Sequence, residues 1–229
     1  MFLIEELKNF LIKSGVKRVK LNNQVLKSSL KQFVVFDLII VLVSALIIAI
    51  TLIFFDAFKD LYASREKLPE ISFIKSIFYF CFIASLVEEL TFRIGLKVAR
   101  FNMAIYLGFN LMVILQISGF IEQTLLIRLI LISFTSLGFF LFLKDKHLSF
   151  FKNNFTIFLY FNIIYFSLIH LGNYSFSHFS QYVFAPILIL PHFFLGIYLS
   201  YSRLKFGFCY SLFIHFSHNF CFIVLTHIL

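Results

Sequence analysis

A chain of 229 residues that is 61% hydrophobic and 20% aromatic, with a mean hydropathy of +0.95, carries more apolar surface than a soluble domain of this size can bury. The net charge of +9 raises nucleic acid as a partner, but the bases cluster between apolar runs, which fits membrane topology and anionic headgroups instead. The three cysteines, Cys81, Cys209 and Cys221, lie within apolar runs with no CxxC spacing, so they read as buried thiols and exclude a disulfide scaffold.

Apolar runs of about 20 residues recur without the alternation of a β-barrel. The expected fold is all-α, a polytopic transmembrane helical bundle with about seven spans. Residues 1–31 carry Lys8, Lys13, Lys17, Arg18, Lys20, Lys27 and Lys31 against Glu5 and Glu6, with Phe2, Leu3, Leu7, Phe10 and Leu11 at helical spacing. This segment reads as an amphipathic helix on the anionic cytoplasmic leaflet, or equally as a solvated basic tail that sets topology. It is too long and basic for a cleavable signal peptide.

Residues 32–229 form the expected bundle. A first span covers 32–55, and a polar outer loop follows with Asp56, Lys59, Asp60, Arg65, Glu66, Lys67 and Glu70. A second span starts near residue 72 and ends at Lys97 and Arg100. Spans at 102–120 and 124–143 form a helical hairpin with its turn at Glu122 and Gln123, and Arg128 snorkels outward. A fifth covers 155–171, a sixth 183–201 with Pro186 and Pro191 bending it, and a seventh 208–228. With the N-terminus inside, Lys97, Arg100, Lys144, Lys146, Lys152, Arg203 and Lys205 all fall inside. No separate domain, linker or repeat is visible.

The second span holds two carboxylates and a guanidinium, Glu88, Glu89 and Arg93, in an apolar run. Each costs about 2.5–3.5 kcal/mol at a membrane helix centre. Glu89 and Arg93 are four apart and share a face, so they can pair along the helix. Glu88 lies about 100° away and has no partner on its own helix, which makes it a candidate general base or a packing anchor. His170 ends the fifth span, and His215 and Asn219 share a face of the seventh. Two chemistries fit these groups. In one, Glu88 and His170 deprotonate a water while His215 and Asn219 donate to the oxyanion. In the other, Glu88, His170 and His215 hold a metal whose open position carries the water. No HExxH motif is present, so no cofactor is expected and zinc is the alternative.

The series Glu88-Glu89-x-x-x-Arg93, Phe166-x-x-x-His170 and His215-x-x-x-Asn219 resembles the CAAX protease and bacteriocin-processing family, also called the Abi family, of intramembrane endopeptidases. Gly196, Arg203, Gly207 and Ser211 resemble the lead-in to its third motif. The resemblance covers residues 72–223, leaving the basic segment and first span outside it. It implies an endopeptidase of the glutamate type in a bacterial cytoplasmic membrane, cleaving a membrane-associated peptide or protein in peptide maturation or self-immunity, while the cytoplasmic N-terminus follows from the basic loops alone. It also implies Glu88 and His170 as the pair activating water, His215 and Asn219 as the oxyanion hole, and Glu89 and Arg93 as supporting residues. Members carry the second motif on the helix after the first, whereas here Glu88 and His170 are 82 residues apart, so 102–143 reads as an inserted hairpin. His170 falls near the outer end while Glu88 and His215 lie toward the inner half. Assembly then requires the fifth helix to continue past Leu171, or its neighbours to be tilted or displaced.

The alternatives are a catalytically silent member acting as an immunity protein or membrane scaffold, and a proton-coupled transporter, for which matching internal repeats are missing. His147, His178 and His227 read as solvated. His192 could line the site but reads first as a donor to the carbonyl freed by Pro191, His218 could replace a motif residue but reads first as a helix-packing hydrogen bond, and Asp37 reads as interfacial.

Overall fold

The computed structural model describes residues 2–20, 22–63, 72–118 and 124–228, and every regular element among them is helical. Arg65, Glu66, Lys67, Glu70 and the turn at Glu122 and Gln123 lie outside the described residues.

Helix α1 (Phe2–Lys13) leads through an irregular segment to α2 (Asn23–Phe54). Asn22 caps α2 by accepting from the Val25 amide at 2.8 Å, so the helix starts well before the expected first span. At 1.5 Å per residue it is about 48 Å long, more than the ~30 Å of a bilayer core. Its buried stripe is only Ser29, Phe33, Ile40, Ser44 and Thr51, and Val34, Leu38, Leu42, Leu46 and Ile53 on its other faces are exposed. An apolar surface this continuous suits lipid and not water.

A short helix α3 (Asp56–Ala63) follows. Helix α4 (Phe73–Ser76) passes without a break into a π-helical stretch, Ile77–Ala84, and then into α5 (Ser85–Phe92). The pair α6 (Arg100–Ile117) and α7 (Leu125–Phe142) packs closely because Gly108 lies against Ser136, where a Cβ would stand 2.1 Å from the serine Oγ. The expected inner loop at 144–152 is itself a helix, α8 (Asp145–Asn153), bent 96° from α7. Arg100 Nε donates to the Leu143 carbonyl at 2.7 Å, capping α7 and tying both loops to one end of the bundle.

Helix α9 (Phe155–Ile169) continues as a 3-10 turn, His170–Asn173. A second 3-10 turn, Phe179–Phe184, opens α10 (Ala185–Lys205), and α11 (Phe208–Ile228) follows. Pro186 sits in the first turn of α10, where its missing N–H costs nothing. Pro191 lies inside α10, which runs unbroken through it, so the expected bending is not a break. Gly207, at φ +106°, makes the sharp reversal between α10 and α11, with its amide donating to the Arg203 carbonyl at 3.1 Å.

Among the described residues four helices are long and apolar enough to cross a membrane, or five if the bent pair α7–α8 is one span. The chain is therefore a helical membrane protein with four to five such spans by length and composition. Part of the apolar stripe of α1 packs on protein. Leu7 and Phe10 are buried, Phe10 meets Tyr201 edge-on at 5.7 Å, and Glu6 pairs with Lys205 at 2.7 Å. Burying those two side chains contributes about 1.5–3 kcal/mol each, which docking on α10 gains without lipid.

Candidate active site

Helix α5 carries Glu88, Glu89 and, at its C-cap, Arg93. The i,i+4 spacing brings Glu89 Oε1 to 3.7 Å from Arg93 Nε, both fully buried. The ion pair is held by further contacts, as burial of two charges requires. Glu89 Oε2 accepts from Ser211 Oγ at 2.6 Å, and Glu89 Oε1 lies 3.1 Å from His215 Nδ1. The guanidinium carbon of Arg93 stands 3.7 Å from the Phe166 ring centroid, and the two terminal nitrogens have no hydrogen-bond partner among the described residues. The ring face of Phe166 thus takes over part of the counter-charge. Arg203 Nε, from α10, donates to the Arg93 carbonyl at 3.1 Å, closing the end of α5.

His215 stands between the two carboxylates. Its Nε2 lies 3.3 Å from Glu88 Oε2, within ion-pair distance but not aligned as a hydrogen bond. Both carboxylates accept, so only the doubly protonated ring meets both contacts at once. Glu88 differs from its neighbours in exposure: its side chain is 25% exposed, against 2% for His215 and none for Glu89. Of the three, Glu88 alone is partly open.

His170 lies close enough to Glu88 and His215 for their charges to interact. Its Nδ1 sits 2.7 Å from the Phe166 carbonyl. A carbonyl only accepts, so the neutral ring carries its proton on Nδ1 and offers Nε2 as an acceptor. Two features level His170 with the others. Tyr160 OH donates to the Leu11 carbonyl at 2.8 Å, so α9 begins beyond the end of the bundle that α1 covers, and the 3-10 turn carries the helix past Leu171. Phe166 accordingly meets Arg93 face-on and His215 edge-on at 6.1 Å.

Asn219 is placed differently. Its amide nitrogen donates to the Phe80 carbonyl and to Ser85 Oγ, each at 3.0 Å. The two bonds hold α11 to the π-helical stretch at Phe80, where widened turns leave carbonyls off the regular ladder, and to Ser85 at the start of α5. The structure thus gathers Glu88, Glu89, Arg93, His170 and His215, and engages the Asn219 amide with Phe80 and Ser85.

Two further contacts surround the site. His192 stacks on His170 with ring centroids 3.8 Å apart, so it braces a site residue. Asp37 Oδ1 lies 2.7 Å from His218 Nδ1, a partly buried pair joining α2 to α11. His218 thus makes a helix-packing contact as its sequence position suggests, and Asp37, read as interfacial, is its partner.

Among the described residues no group of three or more His, Cys, Asp or Glu is arranged to hold a metal ion, Glu88, His170 and His215 included. No family model matches the chain, and neither a curated protein nor a solved structure matches it.

Proposed function

We propose that the chain is an intramembrane endopeptidase of the CAAX and bacteriocin-processing type that hydrolyses a peptide bond of a membrane-associated peptide or protein. The observation that carries this reading is the difference between two adjacent carboxylates. Glu89 is sealed and fully partnered, whereas Glu88 is partly open beside two imidazoles. A structural cluster has no need to leave one acid open.

In this mechanism a water sits between Glu88 and the free Nε2 of His170. Glu88 takes a proton from it as the water oxygen bonds to the scissile carbonyl carbon. The proton then passes to the leaving nitrogen as the C–N bond breaks, giving a carboxylic acid and an amine. His215 donates toward the developing oxyanion, and Asn219 joins it by releasing one of its contacts to Phe80 or Ser85. Glu89, Ser211 and Arg93 orient His215. No metal enters any step.

Seven crossings are proposed: α2, the continuous helix 73–92, α6, α7, α9, α10 and α11. The N-terminus then lies in the cytoplasm of a bacterium. Contacts of Arg100 with Leu143 and of α1 with Lys205 gather the basic loops at one end, which supports that orientation. Anionic headgroups are the proposed partners of that end.

The committed amide of Asn219 favours a second reading, a silent scaffold or immunity protein whose polar core only fixes helix packing. Membrane-peptide fragments compared between cells with the native chain and with Glu88→Gln separate the two. Loss of specific fragments at equal protein level supports hydrolysis. Identical profiles remove it and leave the scaffold.

A further inference from the structure

Residues 15–20 cross the end of the bundle without regular structure, and the Val19 amide donates to the Lys205 carbonyl at 2.9 Å. This contact pins the segment to the end of α10 and leaves an open cleft of about 470 Å³ lined by Arg18, Val19, Lys20 and Phe206. That volume falls within the range of ~300–1,000 Å³ that small-molecule sites occupy.

The cleft is charged on one side and apolar on the other. Neither Arg18 nor Lys20 has an acidic partner among the described residues. Glu6, the acid docked beside α10, is already neutralised by Lys205. Arg18 Nη2 lies 3.7 Å from where a Cβ on Gly207 would stand, so the guanidinium rests against the α10–α11 reversal. Behind it Arg203 lies within electrostatic reach, held by the Arg93 and Ile94 carbonyls at 3.1 and 3.4 Å. Arg203 has Glu89 within reach as a counter-charge, whereas the cleft itself offers Arg18 and Lys20 no acid, and Phe206, largely buried, forms the apolar wall.

We infer that this cleft binds the phosphodiester headgroup of an anionic membrane lipid. Arg18 supplies a planar fork that matches two phosphate oxygens, Lys20 adds a point charge, and Phe206 receives the glycerol and the start of an acyl chain. A free phosphate satisfies Arg18 and Lys20 but makes no use of Phe206. A lipid uses all three. The inference rests on the membrane orientation proposed above and is independent of hydrolysis.

Native mass spectrometry of the purified full chain, offered phosphatidylglycerol and phosphatidylcholine in equal amounts, tests it. The native chain is expected to retain phosphatidylglycerol at least fivefold over phosphatidylcholine. The double variant R18Q/K20Q should bring that ratio near one, while K8Q/K13Q, which removes the same charge from exposed positions on α1, should keep it. An unchanged ratio in R18Q/K20Q, or an equal loss in K8Q/K13Q, overturns the site. Displacement of the lipid by millimolar inorganic phosphate, with F206A without effect, overturns the headgroup in favour of a free anion. An alkaline-phosphatase fusion to the N-terminus reports orientation separately: activity there sinks the cytoplasmic placement whatever the lipid result.

Discussion

Ser211 donates to Glu89 Oε2 at 2.6 Å, joining the start of α11 to the sealed acid of α5. Glu89 in turn faces Arg93 and His215, so one carboxylate serves three neighbours from two helices. The open acid, Glu88, has no hydroxyl donor among the described residues. This asymmetry separates the roles of two adjacent residues in a way that mutation can read.

Glu89→Gln should be far more damaging to stability than Glu88→Gln. The first leaves Arg93 buried without its counter-charge, at a cost of about 3–5 kcal/mol. The second alters a partly exposed group and should cost about 1 kcal/mol or less. Unfolding of both variants in detergent, followed by intrinsic tyrosine fluorescence, checks this. Equal losses would contradict the division into support and reactive group.

Ser211→Ala removes a donor to a buried carboxylate and should cost about 1–3 kcal/mol. Ser211→Thr keeps the hydroxyl, though its extra methyl must find room beside the Leu199 carbonyl, which the same hydroxyl also contacts at 3.1 Å. Recovery of more than half the lost stability in the threonine variant shows that the hydroxyl matters more than the volume.

Gly108→Ala should separate α6 from α7. The new Cβ would stand 2.1 Å from Ser136 Oγ and 3.1 Å from the Ser136 amide nitrogen, so rotating the hydroxyl relieves only part of the clash. Overpacking of this kind costs about 1–3 kcal/mol. The pair G108A/S136G should regain some of it, and thermal unfolding of the three proteins decides.

Asp37 and His218 should prove coupled. A double-mutant cycle with D37N and H218F is expected to give an interaction of about 0.5–3 kcal/mol, as for other residues in direct contact. Additive effects would mean that the 2.7 Å contact adds nothing to the hold of α2 on α11.

Local helix geometry made part of this site readable in advance. The pairing of Glu89 with Arg93 and the shared face of His215 and Asn219 follow from a 3.6-residue period, and every regular element is helical as the apolar runs require. Periodicity gives each helix a face. It does not give its rotation against a neighbour, its displacement along its own axis or its departures from α geometry. Those three decided the rest. The offset of α9 that levels His170 with Glu88 depends on Tyr160 meeting Leu11, 149 positions away. The turning of Asn219 toward Phe80 depends on a π-helical stretch that no local pattern announces. The docking of α1 on Tyr201 and Lys205, and of Asp37 on His218, joins residues at opposite ends of the chain. An amphipathic stripe fits lipid and protein equally well, because both remove apolar surface from water. Packing selects between them.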